Sequence, residues 1–278
     1  MILNRRRPSF ERRFFPRFAA GLILALAAGP ALANEIFVSP LRQVLTPEAP
    51  VGTYVVSNPS RRIVEVRASL IDLAATPEGY ASPTPAERAA LSATPWLLLE
   101  PASFRLDPGA RRNVTVRLRA DAAPTGERRS HALIEAKAQR TTLRRTGGLG
   151  ADIALSLSTP VIVRSGAGDA RAKFGEVRLT RDLNGALVVE ANVLREGAFS
   201  SYGRLEAVLK RRRGRPQLLA EIDNFAVYTD APRTVARLPL GLDVLPTSTL
   251  TLRYVGAAEF DGRLFAKKSF AIEAPATR

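Results

Sequence analysis

The chain has 278 residues, 46% of them hydrophobic, with a formal net charge of +15 and no cysteine. That length and composition suit one or two globular domains with full hydrophobic cores. The lack of cysteine excludes disulfides, thiolate metal sites and cysteine nucleophiles at once.

Residues 1–33 read as a secretory signal peptide and not as part of the fold. Arg5, Arg6, Arg7, Arg12, Arg13 and Arg17 form a basic front. FAAGLILALAA (18–28) is apolar over 11 residues, short of the ~20 that a helix needs to span a bilayer. Gly29-Pro30 breaks it, and Ala31-Leu32-Ala33 is the small-x-small pattern of a cleavage site. Cleavage there starts the mature chain near Asn34, and losing six arginines and Glu11 takes the charge from +15 to +10. A basic surface suits an acidic protein, an anionic membrane surface or nucleic acid, and export makes nucleic acid the poorest of the three. No later segment is long or apolar enough to cross a membrane, so the mature chain is expected outside the cytoplasm and not membrane-embedded.

From there the sequence reads as short strands between turn residues: 36–45, 53–57, 63–71, 113–119, 130–138, 153–163, 187–193, 202–209, 217–222, 234–240, 249–255 and 263–272. NVTVRLR (113–119) puts Val114, Val116 and Leu118 on one face. TLTLRYV (249–255) does the same with Leu250, Leu252 and Tyr254. Asp107-Pro108-Gly109, Asn184-Gly185 and Asp261-Gly262 punctuate the strands as turns. One helix is expected in PTPAERAAL (83–91), where Thr84 caps, Pro85 suits the first turn and Glu87 completes a capping box. The strand count predicts an all-β chain of two β-sandwich domains, 34–168 and 169–278, with the seam in the Gly- and Ala-rich SGAGDARAKFG (165–175).

Within ADIALSLSTPVIVRSG (151–166) there is no charge from Ile153 to Val163. Ile153, Leu155 and Leu157 alternate with small or polar residues before Val161, Ile162 and Val163 run on as apolar. A strand like this at a sheet edge is an aggregation hazard unless something pairs with it.

No constellation for an enzyme emerges. His131, in SHALIEAKA, is the single histidine and lacks neighbours at metal-ligand spacing, so it reads as a structural or surface residue. There is no G-x-S-x-G elbow, and Gly147-Gly148-Leu149-Gly150 precedes a strand instead of opening a helix, so it is no phosphate loop. Neither metal nor any other cofactor is expected. KRRRGR (210–215), between two strands, reads as a solvated hairpin tip or a docking patch for acidic protein or lipid. Arg42, in IFVSPLRQVL (36–45), reads as a solvated guanidinium unless a carboxylate must be gripped there, a task to which arginine's paired bonds are suited.

Four segments resemble the periplasmic pilus-assembly chaperones of the chaperone–usher pathway. They are IFVSPLRQVLTPEAPVGTYVVSNPSRRIVEV (36–66), EPASFRLDPGARRNVTVRL (100–118), GERRSHALIEA (126–136) and ALSLSTPVIVR (154–164). In the second half, NFAVYTDAPRTVARLPL (224–240) is similar only to a less typical branch. The resemblance implies two immunoglobulin-like β-sandwiches in an L or boomerang arrangement. It implies a chaperone that folds and caps a pilus or fimbrial subunit by lending it a strand, then delivers it to an outer-membrane usher. On that pattern Ala151, Ile153, Leu155 and Leu157 are the donor residues of the lent strand, and Arg42 anchors the subunit's C-terminal carboxylate. The anchoring Lys of the family falls on Pro160, a departure, and Pro160 also interrupts the ladder. Arg164 and Asp261 match two members of the family's interdomain bridge. The third, acidic, position holds Arg129, with Glu127 two residues away. Two alternatives stay open: an exported structural or adhesion module in which 153–163 is an internal core strand, and a binder of anionic surface polymer through KRRRGR.

Overall fold

The computed structural model describes residues 36–119, 124–138 and 154–273, all in one compact unit. In chain order the strands are β1 (Phe37–Ser39), β2 (Gln43–Leu45), β3 (Val51–Ser57), β4 (Val64–Ile71), β5 (Ala74–Thr76), β6 (Gly79–Ala81), β7 (Leu97–Glu100), β8 (Ser103–Leu106), β9 (Arg111–Leu118), β10 (Gly126–Ala138) and β11 (Ala154–Ser165). They continue with β12 (Ala172–Arg181), β13 (Leu187–Arg195), β14 (Ser201–Arg211), β15 (Gln217–Val227), β16 (Arg233–Pro239), β17 (Ser248–Gly256) and β18 (Leu264–Ile272). Among the described residues no helix is long and apolar enough to cross a membrane.

The first sandwich packs a sheet of order β1-β3-β9-β7 on a sheet of order β2-β11-β10-β4-β8. Its core joins Tyr54, Val56, Val114 and Val116 of the first sheet to Val66, Leu106, Ile134, Val161 and Val163 of the second. The second sandwich pairs β12-β13-β16 with β15-β14-β17-β18, around Val189, Val193, Leu205, Leu209, Leu238, Leu252 and Tyr254. Alternation of apolar and polar residues sets both registers, because residues two apart share a face: β9 buries Val114 and Val116 while Arg111, Asn113 and Arg117 stay exposed. Two separate clusters, one per sandwich, make the chain a two-sandwich, all-β protein.

Three local outcomes refine the sequence reading. The helix α1 (Pro85–Leu91) forms with its complete capping box, the Thr84 hydroxyl accepting from the Glu87 N–H and the Glu87 carboxylate accepting from the Thr84 N–H. The segment 36–45 is not one strand. It breaks between Ser39 and Gln43, with β1 in one sheet and β2 in the other, as the missing N–H and fixed φ of Pro40 encourage. And β12 begins at Ala172, inside the segment read as the seam, so only 166–171 joins the last strand of the first sandwich to the first of the second. That connection is pinned: the Phe199 N–H donates to the Asp169 carbonyl and the Glu196 N–H to the Arg171 carbonyl. A Cβ on Gly197 would lie 2.3 Å from the Asp169 oxygen, so only glycine allows this approach.

Candidate functional site

β11 is the strand on which the functional reading turns. On one side it pairs antiparallel with β10 along its length, from Ala154↔Lys137 to Ser165↔Gly126. On the other it meets β2 only at Val161, Ile162 and Val163. Among the described residues, the outer edge from Ala154 to Pro160 therefore carries no partner strand. The five steps from Leu155 to Pro160 make about 17 Å of open edge at ~3.4 Å per residue.

Leu155 and Leu157 share the face turned toward the first core. Leu155 ends a cross-strand row with Ala136, Val66 and Phe104, and Leu157 a row with Ile134 and Ala68. The inner members are buried, yet Leu155 is 37% exposed and Leu157 only half-buried against the first cluster. Among the described residues, these two rows run out at the sheet edge with no further strand to cover them. The other two expected donor residues, Ala151 and Ile153, lie outside the described residues.

At the root of this edge sits Arg42. Gln43 is paired with Val161, which places Arg42 beside Pro160. It is not the solvated guanidinium of an ordinary strand residue, for it is 8% exposed. Its Nη1 donates to both oxygens of Glu259, at 2.6 and 2.7 Å. Its guanidinium carbon lies 4.5 Å from the centre of the Tyr202 ring. Its Nε and Nη2 are buried and have no hydrogen-bond partner among the described residues.

Arg164, on the same strand, is saturated by contrast. Nε donates to Glu127 Oε2 at 2.7 Å, Nη1 to Glu259 Oε1 at 2.9 Å, and Nη2 to the Ser200 carbonyl and hydroxyl at 2.9 and 3.1 Å. The rings of Phe199 and Phe260 each lie 5.3 Å from its guanidinium carbon. The Glu127 side chain is 1% exposed and also accepts from the Ser200 N–H. Arg164 thus joins the two sandwiches, but the carboxylate it receives from the second is Glu259 and not Asp261. Asp261 follows the 3₁₀ turn Ala258–Phe260, donates its own N–H back to Ala258, and leaves its side chain exposed, in no ion pair with the described residues. The turn directs Glu259 inward and Asp261 to solvent. Burial by itself would raise the Glu259 carboxyl, but the charge and hydrogen bonds of Arg42, with Arg164 beyond, hold it below the usual carboxylate range.

A second clamp lies on Arg129, the arginine at the position where the resemblance implies an acid. It is buried, and its Nη2 donates to the Leu73 carbonyl and to Asp230 Oδ2, both at 2.8 Å. Its guanidinium carbon lies 3.8 Å from the centre of the Tyr228 ring. The β5–β6 hairpin completes the contact. The Ala75 N–H donates to Asp230, the Pro77 carbonyl accepts from the Val235 N–H, and the Tyr80 hydroxyl donates to that of Tyr228. Burial pushes the Tyr228 phenol far above its ordinary value. His131 sits next to this clamp, edge-on to Tyr80 with ring centres 5.1 Å apart and both ring nitrogens unpartnered among the described residues. It is a core residue and not a surface one.

Sequence reasoning missed Glu259, Ser200, Asp230 and the Tyr80–Tyr228 pair. None sits in a motif, because each acts only after a loop of one sandwich meets the other. In the sequence Glu127 is legible only as a neighbour of the position where the resemblance implies an acid. KRRRGR stands where expected, at the fully exposed β14–β15 turn, and Lys210, Arg211, Arg212, Arg213 and Arg215 form no ion pair with the described residues. No group of acidic or histidine side chains among the described residues has metal-site geometry.

No protein-family model matches the sequence, and no curated protein matches it. Solved structures do. The chain is similar to one in the Salmonella enterica SafA pilin–SafB chaperone complex, with 17% identity over 86% of this chain and 96% of that one, at TM-score 0.46. It is similar to the YadV chaperone, with 9% identity over 85% and 99% of the two chains, at TM-score 0.45. It is also similar to one in the CsuC–CsuE chaperone–tip subunit complex of Acinetobacter baumannii, with 8% identity over 86% and 98%, at TM-score 0.43.

Proposed function

We propose that this protein is a periplasmic chaperone for a pilus or fimbrial subunit, which it folds and caps by lending β11 to an incomplete sandwich and then delivers to an outer-membrane usher. The observation that carries the reading is the open edge of β11, with Leu155 and Leu157 on a core-type face that its own sandwich leaves partly uncovered. An extended segment of a client added to this edge gains main-chain hydrogen bonds, and alternate side chains set its register. Each Leu or Ile that becomes fully buried contributes roughly 1.5–3 kcal/mol; Leu155, already about two-thirds covered, contributes less. Arg42, at the root of the edge, is placed to take the client's C-terminal carboxylate and so fix where pairing starts. Ala151 and Ile153 would extend the donor face outward. Nothing in this reading requires a metal, a nucleotide or catalysis, and the signal peptide supplies the export.

The test is capture of a client in the periplasm by tagged wild type beside Leu155→Arg, with cross-linking through position 157. The expected result is a β-rich fibre subunit cross-linked to wild type and lost from the variant. Folding of the variant should be intact, because an edge arginine can extend its charged head to water. If both proteins come down alone, or with the same partners, strand lending is wrong and an exported structural module is the better reading. If capture instead vanishes with added salt and is insensitive to Leu155→Arg, the basic hairpin tip is the binding element.

A further inference from the structure

Arg42 and Arg164 share one carboxylate, and they share it unequally. All three nitrogens of Arg164 are used, by two carboxylates and by Ser200. Only one nitrogen of Arg42 is used, and the two oxygens of Glu259 both crowd onto it. The other two, Nε and Nη2, are buried without an acceptor among the described residues. An unpaired donor in a dry site is costly, and the paired two-nitrogen geometry that guanidinium offers a carboxylate is unused. Arg164 has the pattern of a finished structural bridge; Arg42, like Arg129 with its Nε and Nη1, leaves two buried donors unmet among the described residues, and of these two arginines it is Arg42 that stands at the root of the open edge of β11.

We propose that Glu259 is an internal stand-in for the client's terminal carboxylate, occupying Arg42 in the free protein and yielding it when a client docks. The inference rests on the chaperone reading above and adds to it a gate. Glu259 has a second place to go, because its Oε1 already lies 2.9 Å from Arg164 Nη1. Its side chain is 29% exposed, so it can leave Arg42 without carrying a bare charge into the core. It cannot comfortably stay. Position 160, beside Arg42, is a proline and brings no further cation, so an incoming carboxylate together with Glu259 and Glu127 would set three negative charges against the two guanidiniums of Arg42 and Arg164. Docking therefore trades an interdomain bond for an intermolecular one. Client binding and the grip of the second sandwich on Arg42 are coupled, and the coupling is reciprocal.

The experiment uses the purified mature chain and a defined probe, N-acetyl-trialanine with a free carboxylate, beside its C-terminal amide. Binding is followed on the arginine Nε–H resonances in wild type, Glu259→Gln and Arg42→Met. Glutamine keeps an oxygen acceptor for Arg164 and removes the competing charge, and thermal melts check that the variant is folded. The acid, and not the amide, is expected to shift the Arg42 resonance. If Glu259 holds Arg42 about nine-tenths of the time, Glu259→Gln binds the acid about tenfold more tightly than wild type. Arg42→Met should abolish binding. Equal or weaker binding by Glu259→Gln, or binding by neither protein, overturns the gate. That failure is separable from failure of the chaperone reading: loss of client capture in Leu155→Arg would still stand if the gate fell, and tenfold tighter peptide binding would still stand if capture proved indifferent to Leu155.

Discussion

His131 offers a pH test of the interface between the sandwiches. It is 1% exposed, on β10 between Ile71 of β4 and Pro160 of β11, with the Tyr80 ring against it. The charged groups that act on it are Arg129 and Asp72. Burial first, and the Arg129 charge second, push its pKa down to about 3, with Asp72 pulling weakly the other way. The unfolded chain titrates this group near 6.5. Between 3 and 6.5 the unfolded state therefore binds a proton that the folded state refuses, so stability is complete above 6.5 and declines as pH falls toward 3. At 1.36 kcal/mol per unit, taking the protein from pH 7 to pH 5 costs about 2 kcal/mol through this residue alone. His131→Leu has nothing to protonate and leaves no ring nitrogen unpartnered. Urea unfolding at both pH values, for both proteins, isolates the effect, because losses from carboxylates are common to the two and cancel in the difference. Wild type is expected to lose about 2 kcal/mol more than His131→Leu over this interval. Equal losses would show that the histidine is protonated in the fold, and the burial argument would be wrong.

The identity of the interdomain acid can be checked by stability alone. Asp261→Ala should change the unfolding free energy by less than about 0.5 kcal/mol, as expected of an exposed side chain, while Glu127→Gln should cost about 3 kcal/mol by leaving Arg164 short of a buried counter-charge. The reverse order of effects would restore Asp261 to the bridge. Arg129→Met removes the counter-charge from Asp230 and the stacking on Tyr228, and should cost about 2–3 kcal/mol. Calorimetry should then show a broader transition than wild type gives, since the hairpin clamp is weakened while the Arg164 bridge still couples the two sandwiches; an unchanged transition would refute that role.

What was legible in the sequence was whatever depended on neighbours along the chain. The alternation of β9, β11 and β17, the capping box of α1 and the basic turn at 210–215 all follow from short-range rules, and all are found in place. The strand β12, AKFGEVRLTR, escaped because it buries little and breaks its register at Phe174/Val177, so its apolar residues do not alternate cleanly. Arg42 was legible as an arginine in an odd place, but not its burial, which is created by Tyr202 and Glu259 from 160 or more positions downstream. Asp261 and Glu259 are two residues apart, and only the 3₁₀ turn between them decides which faces inward. Residue type and spacing cannot distinguish two acids on such a turn.

The two halves of β11 have different environments, and this difference is what makes strand lending physically reasonable. A strand that is free along its whole length would collapse onto its own sheet or aggregate, whereas one paired on both sides has nothing to give. Here the inner half is held from three directions. Val161 and Val163 face the first core, Ile162 faces Ala226 and Tyr228 of the second sandwich, and β2 lies alongside. Arg164 then fixes the end through four hydrogen-bond acceptors from both sandwiches. Among the described residues, the outer half is held by β10 alone. Adding a client strand there requires no contact of the inner half to break, so the ordering of the edge is already achieved before the client arrives and does not count against binding. On this argument, loosening the inner half should weaken capture even where the outer half is untouched.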